Sequence, residues 1–138
     1  MTPVEDELVE ALVESARAVR DHAHAPYSRF RVGAAVMSES GKIYVGCNVE
    51  SATYGATLCA ERAAIARMIA SGEKRVVTVA VFVDDEEPAM PCGICRQVIA
   101  EHGPHAEIIT ATPRKSKRST IEHLLPDPFV FLPPDLAK

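Results

Sequence analysis

Residues 59–70 read CAERAAIARMIA, residues 76–83 read VVTVAVFV and residues 91–103 read PCGICRQVIAEHG. The first run is dense in helix formers and is closed by Ser71-Gly72, a C-terminal stop. The second is almost entirely β-branched or apolar, the composition of a strand covered on both faces. The third opens after Pro91 as a second short helix that Gly103 ends, and residues 106–112 supply the next strand. Strand and helix therefore alternate, which places helices against a sheet that contains parallel neighbours.

Outward from this segment, Leu8, Leu12, Ala16 and Val19 recur at helical spacing between Glu5 and His22, and Pro26 stops any continuation. The β-formers of 30–37 and 43–49 flank Glu39-Ser40-Gly41-Lys42, the composition of a hairpin linker. Near the other end, Ser119-Thr120-Ile121-Glu122 has the spacing of a capping box and opens a short last helix. Arg114, Lys115, Lys117 and Arg118 read as a solvated loop, and the tail PDPFVFLPPDLAK reads as irregular. The expected architecture is α/β, a three-layer sandwich with a mixed sheet of about five strands flanked by helices. One domain spans residues 1–138.

The bulk properties agree with one core and narrow the partners. A chain of 138 residues with 47% hydrophobic and 25% charged residues fits a single globular domain. A net charge of -4 argues against a nucleic-acid partner, and the basic run at 114–118 is too short, with no interleaved aromatics, to reverse that. The longest apolar stretch is strand-sized, which argues against a membrane span. The acidic start MTPVEDELVE lacks the basic and apolar regions of a secretory signal, so a cytoplasmic location is expected. In a reducing compartment the four cysteines are metal ligands or reactive thiols rather than disulfides.

Cys59-Ala60-Glu61 and, after the intervening strand, Pro91-Cys92-Gly93-Ile94-Cys95 carry the chemistry. Thiolates suit Zn2+, and a two-residue gap lets Cys92 and Cys95 grip one ion from a single turn. Cys59 completes a set of three protein ligands, which leaves a fourth tetrahedral position open, the mark of a catalytic rather than a structural zinc. Both cysteine groups fall at helix starts, where the macrodipole and free N–H groups favour thiolate charge. Glu61 supplies a carboxylate for proton transfer, provided that Cys59 departs from helical dihedrals so that both side chains leave the same helix end. Arg62 is the nearest cation in sequence to offset the thiolates.

The pattern of a ligand, a glutamate two residues on and then P-C-x-x-C resembles the zinc-dependent nucleobase deaminases in their three-cysteine version. The segments PYSRFRVGAAV, GCNVESATYG, CAERAAI, PCGICRQV and EHLLP together resemble the small homotetrameric cytidine deaminases. The likeness runs from Pro26 to Pro126. It implies hydrolytic deamination of free cytidine or deoxycytidine in pyrimidine salvage, with Glu61 as the proton shuttle. It also implies that Asn48 and Glu50 hold the ribose hydroxyls, that Phe30 packs on the pyrimidine, and that the Ala60 backbone meets the polar edge of the ring. Ala52 and Tyr54 of one neighbouring subunit and Phe129 of another would close each pocket of a homotetramer with shared active sites. Arg62 resembles the arginine that hydrogen-bonds the ligand thiolates. One departure is Ser51, which stands where the family commonly has asparagine.

Three other readings compete. A deaminase of another aminated heterocycle, such as blasticidin S, shares the motif around PCGxCRQ, but Glu50 belongs to the ribose-type pair that a nucleoside needs. An editor of cytosine in RNA or DNA is opposed by the negative charge. A non-catalytic zinc module requires a fourth ligand, for which Cys47 is the candidate; its place in IYVGCNV reads instead as a small buried hydrophobe. His22, His24, His102, His105 and His123 have no ligand spacing to the cysteines and read as surface histidines.

Overall fold

The computed structural model describes residues 5–131. Helix α1 (Asp6–Arg20) is followed by a hairpin of β1 (Gly33–Ser38) and β2 (Ile43–Cys47), helix α2 (Ala60–Ala70), β3 (Val76–Phe82), α3 (Gly93–His102), β4 (Glu107–Ala111), β5 (Ser116–Thr120) and the short α4 (Ile121–Leu124). The strands form one five-stranded sheet in the order β2-β1-β3-β4-β5. Only the β3–β4 pairing is parallel, and α3 makes that crossover. The expected three-layer, mixed-sheet architecture is present.

The period-two alternation of strand side chains sorts the core into two layers. Ala34 and Val36 of β1 join Val79 and Val81 of β3 against Ala64, Ile65 and Met68 of α2 and Ile99 of α3. Ala35, Met37, Ala80 and Phe82 point the other way, onto Leu12 and Ala16 of α1. Every residue of β1 is buried, as a central strand covered by helices on both sides requires. On α1 the buried face includes only part of the expected apolar stripe. Leu12 and Ala16 are buried, Val9 and Val13 pack beside them, and Leu8 is left exposed in the first turn.

Two expectations near the C-terminus need correction. The basic run read as a solvated loop contains a strand: residues 116–120 pair antiparallel with β4, with Arg118 opposite Ile109 and Lys117 opposite Thr110. Arg118 also donates to Glu107 and, at 3.1 Å, to Asp6 at the start of α1. The strand closes one edge of the sheet with charge, a common protection against edge-to-edge association. The capping box also fails, because Ser119 is inside that ladder opposite Ile108. The N-cap of α4 is Thr120, whose Oγ1 accepts the His123 N–H at 3.1 Å. The last part of the proline-rich tail, 132–138, lies outside the described residues, as do residues 1–4. No helix among the described residues is long and apolar enough to cross a membrane.

Candidate active site

Cys59 and Cys92 are the N-cap residues of α2 and α3, both with extended backbone (φ -73°, ψ 153° and φ -67°, ψ 169°). Neither sulfur caps its own helix. They turn toward each other instead, with Cys59 Sγ 3.8 Å from Cys92 Sγ. Cys95, fully buried in the first turn of α3, brings the third sulfur, and all three lie within 4.8 Å of one another. The departure from helical dihedrals that the sequence demanded of Cys59 is therefore present.

The thiols behave as a donor set that wants a cation. Hydrogen bonding with Cys95, together with the nearby Arg62 guanidinium, lowers the Cys59 thiol to about 5 against the pull of burial. Sharing that proton and being buried pushes Cys95 strongly upward. One thiolate thus suppresses the next, and a dication among the sulfurs removes that penalty. Zn2+ fits the site on this ground and on the number and spacing of its sulfurs. Arg62 Nη2 lies 3.4 Å from both Cys59 Sγ and the Thr57 carbonyl oxygen. Its Nε is buried and has no hydrogen-bond partner among the described residues.

Glu61, in the first turn of α2, is 5% exposed. Burial pushes its carboxyl up to about 7, and the Cys59 charge adds to the effect. Cys47 stands apart at the end of β2; it is half-buried, burial raises its thiol, and it is not part of the sulfur cluster. Among the described residues no histidine joins a metal-ligating group, and His22, His24, His105 and His123 are exposed while His102 is half-buried.

Beyond β2 the chain stays extended for three residues. Val49 pairs on one side with Leu58, through bonds of 2.9 and 2.8 Å, and bridges His24 on the other. Because side chains alternate, Asn48 and Glu50 share one side and Val49 turns outward. Asn48 Oδ1 accepts the Val32 N–H at 2.9 Å and Nδ2 donates to the Phe30 carbonyl at 2.8 Å. The Glu50 carboxylate accepts the Tyr27 and Ser28 N–H groups at 3.0 and 3.1 Å and also the Ser28 hydroxyl. The Ser28 Oγ accepts the Phe30 N–H at 2.9 Å. Arg29 between them sits at φ 61°, the left-handed region that a side chain enters at some cost. The Asn48–Glu50 pair thereby moulds the loop that presents Phe30.

A cleft of 290 Å³ joins these parts: Phe30, Asn48 and Glu50 line it together with Cys59, Ala60, Glu61 and Cys92. The structure therefore brings together the sequence-predicted ligands, acid, platform and polar pair, with Cys95 and Arg62 behind the sulfurs. It does not bring in Ala52, Tyr54 or Phe129. Ala52 is exposed, Tyr54 is 82% exposed beside a shallow depression near Glu50, and Phe129 is 71% exposed. Ser51 acts locally. Its Oγ accepts the Thr53 N–H at 3.1 Å and its N–H donates to Thr57 Oγ1 at 3.0 Å, closing the turn before α2. Ser28 and Met90 also line the cleft, beyond the residues expected from sequence. Ser28 stands inside the PYS segment, whereas nothing in the sequence marks Met90.

Comparison with known proteins agrees with this geometry. Residues 6–112 match the family model described as the cytidine and deoxycytidylate deaminase zinc-binding region. A cytidine deaminase of Sporosarcina psychrophila is 42% identical over 123 residues, which cover 88% of this chain and 90% of the relative. The crystal structure of cytidine deaminase from Burkholderia pseudomallei superposes with a TM-score of 0.83 at 42% identity, covering 87% of this chain and 98% of the other. That of Mycobacterium tuberculosis gives 0.78 at 38% identity, with 93% and 100% covered.

Proposed function

The chain belongs to the cytidine and deoxycytidylate deaminases with a zinc-binding region, and on that footing we propose that it is a cytidine deaminase, converting free cytidine or deoxycytidine and water to the uracil nucleoside and ammonia. The observation that carries this reading is the convergence of three cysteine sulfurs within 4.8 Å with a buried carboxylate, at a cleft also lined by an aromatic ring and a polar pair.

In this reading Cys59, Cys92 and Cys95 hold the ion. When bound, zinc supplies Lewis acidity that makes hydroxide available at neutral pH. Arg62 partners the Cys59 sulfur and keeps the anionic ligand set stable. Glu61, raised to about 7, sits near the working pH, where a carboxyl can both take and give a proton. It takes a proton from the attacking water and delivers it to the ring nitrogen next to the amine-bearing carbon. It then takes the proton of the hydroxyl now on that carbon and gives it to the amine, so that the carbonyl forms as the C–N bond breaks and ammonia leaves. Phe30 forms a platform for the base, and the Ala60 backbone faces the polar edge of the ring. The second Nδ2–H of Asn48 and the carboxylate lone pairs of Glu50 beyond those that hold the loop serve the ribose hydroxyls.

Ala52, Tyr54 and Phe129 act in the pockets of neighbouring copies of a homotetramer. The exposure of Tyr54 and Phe129 supports this, since the described chain leaves most of each side chain uncovered. The enzyme works in the cytoplasm on free nucleosides and serves pyrimidine salvage. Loss of the cytidine ultraviolet band with equimolar release of ammonia, measured on zinc-loaded protein against a panel of cytidine, deoxycytidine and blasticidin S, tests the assignment. Turnover of blasticidin S alone, or of none of the three, overturns it.

A further inference from the structure

Arg96 and Gln97 follow Cys95 directly on α3, and both reach toward the end of the chain. Arg96 Nε donates to the Pro91 carbonyl at 2.8 Å and its Nη1 to the Leu124 carbonyl at 3.0 Å, joining the loop before Cys92 to the end of α4. Gln97 takes hold five residues later. Its Oε1 accepts the Phe129 N–H at 3.1 Å, and its Nε2 donates to the Phe129 carbonyl at 2.7 Å. The same Nε2 also donates to Glu101 Oε1 at 3.2 Å, which fixes the sense of the amide. One side chain thus pairs with both backbone groups of one residue, as a neighbouring strand would.

Between the two anchored points lie Leu125-Pro126-Asp127-Pro128, in which each proline locks φ and has no N–H. A short segment tied at both ends and stiffened in between is a strap. The Phe129 ring at its end has no packed bed: it is 71% exposed and meets only Phe131, at a centroid separation of 6.4 Å, among the described rings. Its position is therefore set through its backbone, by Gln97.

We propose that Gln97 is a positioning residue for the deamination: it fixes the backbone of Phe129 so that this ring reaches the substrate pocket of a second copy of the chain. The inference rests on the reading above that Phe129 closes a neighbouring pocket. It also accounts for the residue type. A neutral amide accepts and donates at once, whereas a glutamate would set carboxylate oxygens against the Phe129 carbonyl and Glu101, and an alanine would do neither.

The test compares the zinc-loaded enzyme with Gln97→Ala, Gln97→Glu, Phe129→Ala and the Gln97→Ala/Phe129→Ala double variant, by steady-state kinetics on cytidine, zinc content and exchange of the Phe129 amide. Gln97→Ala, which loses both neutral hydrogen bonds to Phe129, and Gln97→Glu, which sets a carboxylate oxygen against the Phe129 carbonyl, raise KM about tenfold and leave kcat within about twofold. Zinc content stays at the wild-type level and the Phe129 amide loses its protection. The double variant matches Phe129→Ala alone, because Gln97 acts only through that ring. A wild-type KM in both Gln97 variants beside a raised KM in Phe129→Ala overturns the positioning role and spares the reading of Phe129. A wild-type KM in Phe129→Ala overturns that reading and the inference with it. A loss of zinc or of kcat in Gln97→Ala also overturns the inference, since the amide would then support the helix of Cys95 rather than the arm.

Discussion

The side-chain amide of Asn48 is bound to the strand entry that carries Phe30, donating to the Phe30 carbonyl at 2.8 Å while accepting the Val32 N–H at 2.9 Å. Asn48 is 9% exposed, so these backbone groups have little water to turn to if the amide is removed. Asn48→Ala should therefore lower stability by about 1–3 kcal/mol, the range for leaving buried partners unsatisfied, and should raise KM for cytidine as Phe30 loses its support. Asn48→Asp keeps the acceptor and loses the donor, and should lie between. Denaturant unfolding with parallel kinetics checks both; an Asn48→Ala protein of wild-type stability would show that the loop is held by Glu50 alone.

The metal assignment separates Cys47 from the other three cysteines. Cys59→Ala or Cys95→Ala breaks a set in which every sulfur lies within 4.8 Å of the others, and should remove the ion and the activity together. Cys47→Ala changes a half-buried thiol outside the set and should leave about one zinc per chain, as expected of a three-cysteine site with an open position. Metal analysis of the purified variants decides the matter, and loss of zinc from Cys47→Ala would turn the site into a closed, structural one. Chelation of the wild-type enzyme should abolish turnover, and added Zn2+ should restore it.

Most of this was legible in the sequence because the decisive signals are local. A cysteine at an N-cap, a glutamate two residues on and a buried strand between two helices depend on neighbours along the chain. The illegible parts depend on partners far away. Strand β5 has the polar composition of a loop and becomes a strand only because the free edge of β4 receives it, which also removes Ser119 from the cap position and gives that place to Thr120. The bonds of Asn48 and Gln97 go to backbone groups, which carry no residue identity for a sequence to display.

Glu61 should be separable from the metal. Its carboxyl is buried, and its assigned work is proton movement rather than ligation. Glu61→Gln keeps the shape and removes the titration, so the fold and zinc content should persist while kcat falls by about 10²–10⁴, the usual worth of a general acid–base. Single-turnover rates with metal analysis on the same sample provide the check. Activity within about tenfold of wild type would assign the proton transfers elsewhere.

Glu50 links the loop to pH. The Ser28 hydroxyl, then the Ser28 and Tyr27 N–H groups, hold its carboxyl below the usual range. A carboxyl that is more acidic in the folded state stabilises the fold above its unfolded value of about 4.3, and that contribution is lost as pH falls through the lower folded value. The melting-temperature difference between wild type and Glu50→Gln should thus be flat from neutral pH to about pH 5 and shrink below about pH 4. A difference that persists undiminished to about pH 2 would mean that the carboxylate charge is not what holds the loop.

Gly46 governs how closely α2 lies on β2, and through that contact where Cys59 and Glu61 stand. A Cβ at this position would fall 2.4 Å from the Ala64 nitrogen and 2.7 Å from the Ala60 carbonyl oxygen, both backbone atoms that no rotamer change can move. Gly46→Ala must therefore lift the first turns of α2 away from the sheet. Overpacking of this kind costs about 1–3 kcal/mol, and here the displaced turn is the one that carries the ligand and the acid. Melting temperature, zinc affinity and kcat should all fall together. Gly55→Ala, where an added Cβ meets nothing within 4 Å, should leave the melting temperature unchanged. If Gly46→Ala retains full zinc affinity and kcat in spite of a lower melting temperature, the site tolerates a shift of α2, and its geometry is set mainly by the Cys92–Cys95 helix.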